Sequence, residues 1–286
     1  MDLGVRVWAV DVSAWNGEPW TRVHGSSATD PWEQDVTALL GHDARETQRV
    51  RRYLRGIDRV RSFIARVLPR LLLVQEGECA WQDVCIETTA KGRPYMAAPA
   101  GLAYDYNLTH DGDWVVMAFS LRERVGVDVM QMALPSFEES STTFATTMAA
   151  SMTPAERAWV AAPAEEQGVL ERLLHVWTYK EALTKNRGEG LGFDFAQIQV
   201  PLGRDGRLWI SGEASDAYRF LEVMLPSGAA HPTHAGSLLV MALGPQQVMD
   251  MPSSIVSCDE AQRAGWLRIW TCDELVREAR YRSSGV

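Results

Sequence analysis

Residues 177–195 read WTYKEALTKNRGEGLGFDF and combine a helical pattern with a glycine-rich end. At 100° per residue, Trp177, Glu181 and Lys185 share one helix face. Lys180 precedes Glu181 by one residue, so its side chain points about 100° away from that of Glu181 around the helix axis. An ion pair between Glu181 and Lys185 on a solvated face would stabilise the helix by only about 0.3–0.5 kcal/mol. The alternative is that these charges face inward toward a charged ligand, and the rest of the chain has to decide between the two.

The pattern around this segment predicts one long helix and its end. Residues 170–186 have helical spacing, and Gly188 and Gly190 are expected to end the helix, because glycine readily takes the left-handed conformation found at helix C termini. A separate helix is predicted to begin in MTPAERAWV, with Thr153 as its N-cap, a proline at the first position and Glu156 closing a capping box.

Strands are predicted where β-branched or alternating segments occur. These segments are 5–12, 103–110, 114–120, 124–130, 207–212, 219–225 and 237–243. Asp111 and Gly112 separate the second from the third and favour a hairpin turn. In RVGVDVM at 124–130, Asp128 points to the face opposite the three valines.

The remaining segments complete an α+β pattern. Residues 13–40 contain turn-forming residues and predict a loop-rich connection, and 138–150 can be helical or loose. Residues 43–73 have a helical apolar stripe, with Pro69 expected to break or restart the helix. The order of elements predicts two comparable α+β halves that meet near 121–126, with an N-terminal half at 1–123 and a C-terminal half at 124–286.

The amino-acid composition limits which classes of protein the chain can belong to. The chain has 286 residues, 46% hydrophobic and 23% charged, with no apolar run long enough to span a membrane. The first twelve residues carry three charges and do not resemble a signal peptide, and the four cysteines show no CxxC spacing. We therefore expect a cytoplasmic protein with reduced thiols.

Charge is distributed unevenly along the chain. The net charge of −9 argues against a general nucleic-acid binder. Residues 41–70 nevertheless hold nine arginines against three acidic residues. A local cationic patch on an acidic protein suits a small polyanion better than a nucleic-acid duplex, although a solvated helix face is the competing interpretation.

Two carboxylates are candidates for metal chemistry. Asp128 lies inside an apolar strand, where a buried carboxylate needs a donor, a cation or a place at the sheet rim. Together with Glu181 it suits Mg²⁺, which keeps several waters and accepts phosphate oxygens as ligands. Lys180 and Lys185 would serve developing phosphate charge or proton transfer. His110 lies at a hairpin mouth, where it can either reach a phosphate or ribose or simply be solvated.

Five segments occur in an order that resembles a known family. The first motif is GVDV at 126–129, and the second, WTYKEALTKNRGEGL at 177–191, follows about fifty residues later. KGRPYM at 91–96, YNLTHDGDWVVMAF at 106–119 and the arginine-rich helix at 51–68 precede them. Together they resemble the 4′-phosphopantetheinyl transferases of the broad-specificity, Sfp-like type.

The resemblance implies an activity and a site. Family members transfer the phosphopantetheine arm of coenzyme A (CoA) to a serine of an acyl or peptidyl carrier protein, and release adenosine 3′,5′-bisphosphate. Asp128 and Glu181 match the Mg²⁺-binding carboxylates, and with Lys185 they are the expected catalytic residues. The positions that match CoA contacts are Arg49, Arg61, Ser62, Arg93, Thr109, His110, Lys180 and Lys185. The larger members fold from two halves related by a pseudo-twofold axis, which implies a monomer with the site in the cleft between the halves.

One departure from the family pattern concerns the metal. Many bacterial relatives have an acid two residues after the aspartate of the first motif, and this chain has Met130, whose thioether does not hold Mg²⁺. An apolar residue here resembles the eukaryotic members, including those that serve fatty-acid synthase and aminoadipate reductase. The group that deprotonates the carrier serine stays open between Glu181, Lys185 and a metal-bound water.

Two other functions compete with this one. A different Mg²⁺-dependent phosphotransferase is less favoured, because the chain has no GxxxxGK[ST] loop and no kinase motifs. An inactive relative that only binds carrier proteins is less favoured, because both carboxylates and both motif lysines are present. His231 and His234 form an HxxH pair in a proline-containing loop without a further ligand, so no zinc site is predicted there. In the tail after about 250, WLRIWTCDELVREARYR at 266–282 is expected to be a packing helix, with a partner contact as the alternative.

Overall fold

The computed structural model of the chain describes residues 4–14, 31–77, 79–99, 104–163, 165–189, 192–203, 206–245 and 254–284. The fold is α+β, as the sequence predicts. The strands are β1 (Val5–Asp11), β2 (Cys85–Thr88), β3 (Pro94–Ala98), β4 (Asp105–Asp111), β5 (Trp114–Ser120), β6 (Val125–Gln131), β7 (Ile198–Gln199), β8 (Leu208–Ile210), β9 (Glu213–Ser215), β10 (Arg219–Leu225), β11 (Ser237–Leu243), β12 (Ser254–Ser257) and β13 (Leu267–Thr271). The α-helices are α1 (Pro31–Leu40), α2 (Ala44–Arg51), α3 (Gly56–Gln75), α4 (Ser141–Thr147), α5 (Pro154–Ala161), α6 (Glu166–Arg187), α7 (Cys258–Arg263) and α8 (Cys272–Ser283).

Two four-stranded sheets each contain a three-stranded unit with the same connectivity, and their fourth strands pair with opposite sides of that unit. The first has the order β13-β1-β5-β4 and the second the order β12-β10-β11-β6. In each, a strand leads through a long helix to a hairpin, and that first strand pairs antiparallel with the second strand of the hairpin. The repeated unit is β1, α3, β4 and β5 in the first sheet, and β6, α6, β10 and β11 in the second. This repeat agrees with two similar halves, and a twofold axis between them stays a prediction.

The sheets pack face to face between two layers of helices. Val7, Val116, Val127 and Leu239 belong to one buried cluster that contains strands of both sheets. The outer face of the first sheet packs on α1, α3 and α8, and the outer face of the second packs on α5 and α6. The alternation in β6 follows from this arrangement. Its valines face the other sheet, and the residues between them face α6.

The C-terminal segment belongs to the first sheet. β13 pairs parallel with β1, and α8 packs on α3 through buried Leu275 and Ala279. The predicted C-terminal half at 124–286 is therefore incorrect for residues 267–283, which complete the N-terminal half and cover an edge of β1 that would otherwise be open. The boundary near 123/124 stays a proposal. The predicted packing helix is confirmed from residue 272 onward as α8, whereas 267–271 form β13.

Two predictions about the first helices are wrong. Residues 31–40 form α1 and not a loop, because Trp32, Val36 and Leu40 recur at helical spacing and are buried. Residues 15–30 of that predicted loop lie outside the described part of the chain. Pro69 does not break α3, which continues to Gln75. An interior proline costs a helix about 3 kcal/mol, and the buried leucines on both sides of Pro69 outweigh that cost.

The elements that position the site are confirmed. The capping box of Thr153 and Glu156 starts α5. Helix α6 ends at Gly188, whose φ of 68° is left-handed. Gly190, predicted as a second terminator, lies outside the described residues. β4 and β5 form the predicted hairpin, with its turn at Gly112 and Asp113, one residue later than predicted, because Asp111 still pairs with Trp114. Among the described helices, none has the length and apolar character needed to cross a membrane.

Candidate active site

Asp128 is the buried carboxylate around which the site is built. It lies in the middle of β6, with its side chain 6% exposed. Its Oδ1 accepts hydrogen bonds from Lys185 Nζ at 2.6 Å and from Thr109 Oγ1 at 2.9 Å. Its Oδ2 is buried and has no hydrogen-bond partner in the described part of the chain. A buried carboxylate oxygen without a partner is costly, so this atom is a candidate ligand for a cation.

Lys185 connects the two motifs. From the last turn of α6, its Nζ reaches both Asp128 and Thr109 Oγ1, the latter at 3.2 Å. The side chain is 26% exposed, so the ammonium group lies at the rim of the site and not inside the core. Two of its three hydrogens are used by these contacts, and the third can point toward a ligand.

Glu181 lies one helical turn before Lys185 and is partly buried. Its carboxylate makes no hydrogen bond to the described residues. Burial raises the pKa of Glu181, Lys185 lowers it, and the nearby charge of Asp128 raises it. Burial likewise raises the pKa of Asp128, against the lowering effect of Lys185 and Thr109. Burial raises the pKa of both carboxylates, and Lys185 is the cation that lowers both. A bound metal cation would further stabilise their ionised forms.

Gly126 brings α6 close enough to β6 for these contacts. A Cβ atom built at this glycine would lie 2.0 Å from the carbonyl oxygen of Ala182 and 2.3 Å from the amide nitrogen of Asn186. Asn186 then fixes the end of the helix, because its Nδ2 donates to the carbonyl oxygens of Arg124 and Ala242 at 2.7 and 2.9 Å. The glycine of the first motif is therefore required by packing.

Side chains of β4 join the edges of the two sheets. Asn107 Oδ1 accepts from the amide of Val127 at 3.1 Å, and Asp111 Oδ2 accepts from the amide of Gln131 at 2.7 Å. Thr109, between them, donates to Asp128. We call this contact between β4 and β6 the seam. The roles of Asn107 and Asp111 in the seam were not predicted, although polar residues at every second position of NLTHD were a signal for them.

Arg61 and His110 lie together at the end of β4. Arg61, on α3, pairs with Asp58 at 3.2 Å and donates to the carbonyl oxygen of Gly112 in the hairpin turn. Although part of the His110 surface is exposed, the surrounding protein atoms desolvate the ring and lower its pKa, and the positive charges of Arg61 and Lys185 lower it further. His110 is therefore a neutral hydrogen-bonding group beside two cations.

Arg93 lies at the opposite end of the seam. Its guanidinium group donates to the carbonyl oxygens of Lys185 and Val125, the latter at 2.8 Å, and pairs with the carboxylate of Asp105. The side chain is 8% exposed. It therefore fixes the C-terminal end of α6 to the start of β6, and a contact with CoA stays a prediction.

Lys180 is the clearest disagreement with the sequence analysis. Its Nζ is buried and donates to Glu156 Oε2 at 2.6 Å and to the carbonyl oxygens of Ser151 and Phe195, each at 2.8 Å. All three hydrogens are therefore used away from the site. The predicted contact between Lys180 and CoA is incorrect in this structure, because the adjacent helix position turns the side chain toward α5.

The last two predicted CoA contacts are Ser62, which lies in α3, and Arg49, which lies in α2. Ser62 is buried, and its Oγ accepts from Arg66 Nη1 at 2.8 Å. Arg49 pairs with Glu46 at 2.9 Å and is 46% exposed. Glu46 also lies 3.2 Å from Arg66, so one carboxylate organises several of the arginines noted in the sequence. Of the two predicted contacts, Arg49 is accessible to a ligand and Ser62 is held inside.

Known proteins identify the class of enzyme to which this site belongs. A profile of the 4′-phosphopantetheinyl transferase superfamily matches residues 124–232, and a profile of the 4′-phosphopantetheinyl transferase N-terminal domain matches residues 27–122. The chain belongs to the 4′-phosphopantetheinyl transferase superfamily. It is a transferase of the phosphopantetheine group, and CoA and carrier proteins are the substrates of this class.

Individual relatives agree with the profiles. The chain is 34% identical over 193 residues to the 4′-phosphopantetheinyl transferase pptA of Paxillus involutus, covering 64% of this chain and 73% of that protein. It is 31% identical over 205 residues to the phosphopantetheinyl transferase of a Thraustochytrium species, covering 70% and 67%. It is 25% identical over 200 residues to the human L-aminoadipate-semialdehyde dehydrogenase-phosphopantetheinyl transferase, covering 65% and 64%. The resemblance to this family is thereby confirmed.

Proposed function

We propose that the protein transfers the phosphopantetheine arm of CoA to a carrier-protein serine at the seam, with Asp128 and Glu181 holding Mg²⁺. The observation that supports the metal site is the buried Oδ2 of Asp128, which lacks a hydrogen-bond partner among the described residues. The donor set fits the ion, because Mg²⁺ takes one or two carboxylates and completes its shell with water and phosphate oxygens. When bound, Mg²⁺ would neutralise negative charge on the pyrophosphate of CoA.

Lys185 and Glu181 have different roles in the proposed transfer reaction. The oxygen of the carrier serine forms a bond to the β-phosphorus of CoA, and the bond from that phosphorus to the leaving bisphosphate oxygen breaks. Lys185 Nζ donates two hydrogen bonds, to Thr109 and to Asp128. Its third hydrogen can donate to the leaving oxygen and stabilise the negative charge that develops there. The serine proton is proposed to pass to the carboxylate of Glu181, which makes no hydrogen bond to the described residues.

The nucleotide end of CoA is proposed to lie beyond the His110 side of the seam. Arg61 and neutral His110 supply donors there, and the exposed Arg49 supplies a cation farther along α2. Met130 replaces the additional acid of many bacterial relatives, so two protein carboxylates suffice for the metal. We also propose a monomer in the cytoplasm, with no nucleic-acid or membrane partner. The free state of all four cysteines is consistent with that location.

The experiment is a transfer assay. Purified protein is incubated with CoA, Mg²⁺ and apo carrier proteins of the fatty-acid, polyketide and peptide types, and with the aminoadipate-reductase carrier domain used in lysine biosynthesis. Mass spectrometry then detects the added phosphopantetheine. Asp128→Ala and Glu181→Ala should each abolish transfer while circular dichroism stays unchanged. Near wild-type rates in both variants would refute the metal assignment.

The nucleotide assignment has its own test. Arg61→Ala should raise the KM for CoA more than it lowers kcat, because the arginine is proposed to bind the nucleotide and not the reacting phosphate. An unchanged KM would remove Arg61 from the CoA site. It would leave the assignment of Asp128 and Glu181 intact.

A further inference from the structure

Three metal-ligating side chains converge away from the transfer site. Asp113 is buried in the turn between β4 and β5, and His231 and His234 lie in the loop between β10 and β11. His231 Nδ1 lies 2.7 Å from Asp113 Oδ1, and His234 Nδ1 lies 3.8 Å from Asp113 Oδ2. One ligand atom from each residue lies within 4.8 Å of the other two. The imidazole rings stack with centroids 4.4 Å apart, so both face the same carboxylate.

The loop that carries the histidines is held in place by its backbone. The amide of Gly228 donates to Asp113 Oδ2 at 3.0 Å, and the amide of Ala229 donates to Asp11 Oδ2 at 2.8 Å. The amide of Ala230 donates to a serine hydroxyl at the end of β1, at 3.1 Å. The geometry of the cluster is therefore set by these contacts and not by the histidines themselves.

The histidine rings remain accessible to solvent. The side chains of His231 and His234 are 42% and 49% exposed, whereas that of Asp113 is 10% exposed. A metal ion can reach the two ring nitrogens from solvent and meet a carboxylate already oriented by the Gly228 amide. Ligating carboxylates are commonly oriented in this way by a hydrogen bond from outside the coordination shell.

We propose that Asp113, His231 and His234 bind a divalent transition metal of the Zn²⁺ type, separately from the transfer site. Two imidazole nitrogens and one carboxylate are a recurring three-ligand set for zinc, with water in the fourth position. Mg²⁺ prefers an all-oxygen shell, so the two sites select different ions. To ligate through Nδ1, each neutral imidazole carries its hydrogen on Nε2, and the bond between His231 and Asp113 is exchanged for two bonds to the metal.

This site would join the two halves of the fold. Asp113 belongs to the hairpin of the first sheet, and the histidines belong to a loop of the second. The sequence shows only the HxxH spacing, because the third ligand lies 118 residues earlier in the chain. The competing interpretation is a hydrogen-bonded latch that binds no metal.

Cobalt titration of the full chain distinguishes the two. Co²⁺ is added in the presence of excess Mg²⁺, which occupies the hard-cation site, and visible absorption reports four-coordinate cobalt bound to nitrogen. Wild type should bind one equivalent, and Zn²⁺ should displace it. His234→Ala and His231→Ala should each weaken binding at least tenfold, whereas Thr233→Ala, an exposed neighbour in the same loop, should bind like wild type.

Two results would overturn the proposal. One is the absence of a cobalt band in wild type, which would leave the latch as the only role of the cluster. The other is an undiminished band in both histidine variants, which would place the cobalt elsewhere. Since His234 is not part of the transfer site, His234→Ala should retain phosphopantetheine transfer. The outcome is therefore independent of the proposed catalytic mechanism.

Discussion

Replacing Gly126 by alanine tests whether the close approach of α6 to β6 sets the geometry of the transfer site. The added Cβ would meet the Ala182 carbonyl oxygen at 2.0 Å, whereas ordinary contacts of this kind begin near 3.4 Å. Both this oxygen and the neighbouring Asn186 nitrogen are backbone atoms, so no side chain can rotate away. The helix must therefore recede from the strand by about 1 Å or more.

The consequences for stability and for catalysis should differ in size. Overpacking of this kind typically costs about 1–3 kcal/mol of unfolding free energy. Glu181 and Lys185 move with the helix, while Asp128 stays on the strand. A misplacement of about 1 Å between reacting groups can lower the rate roughly 100-fold. We therefore expect a folded protein with a transfer rate reduced by about two orders of magnitude.

Urea denaturation and the carrier-protein assay measure the two effects. Gly192→Ala is the matched control, because a Cβ at that glycine meets no atom within 4 Å and its φ is not left-handed. The control should change neither quantity appreciably. If Gly126→Ala transfers phosphopantetheine at the wild-type rate, the contact between α6 and β6 does not position the carboxylates and the reasoning is refuted.

Two further predictions concern the lysines of the second motif. Lys180→Met should lower the unfolding free energy by about 3–5 kcal/mol, because it leaves the buried carboxylate of Glu156 without its ion-pair partner. It should not raise the KM for CoA, and the double variant Lys180→Met, Glu156→Gln should recover part of the stability in urea denaturation. Lys185→Met should move the acid limb of the pH–rate profile to higher pH, since the lysine charge lowers the raised pKa values of Asp128 and Glu181. An acid limb that stays in place or moves to lower pH would contradict the coupling.

Much of the fold could be predicted because local signals and tertiary packing agree. The capping box of α5, the left-handed end of α6 and the hairpin turn each depend on residues close together in sequence. The errors arose where packing outweighs a local signal. Pro69 is tolerated inside α3 because the helix is buried on both sides of it, and β13 joins β1 through a pairing between the two ends of the chain.

The residues of the site could be predicted from their motifs, but the contacts of their side chains could not. Asp128, Glu181 and Lys185 were identified from residue type and spacing, and the structure brings Lys185 onto Asp128. The CoA contact of Lys180 was implied by the family resemblance, whereas helical spacing had already placed this residue off the face of Glu181 and Lys185. The side chain of Lys180, one step from Glu181, turns toward buried Glu156. No spacing rule reveals such a partner.

The seam gives a physical reason for the proposed position of the transfer site between the two halves of the fold. β4 and β6 are edge strands of different sheets, and direct backbone pairing would bring them to about 4.8 Å and close the gap between them. Instead, amides of β6 donate to Asn107 and Asp111 side chains of β4, which satisfies them while keeping the strands farther apart. Between those two contacts, Thr109 and Lys185 meet one oxygen of Asp128 and leave the other unsatisfied by the described residues. A single fold unit would provide only one side of this gap, so the chemistry requires both.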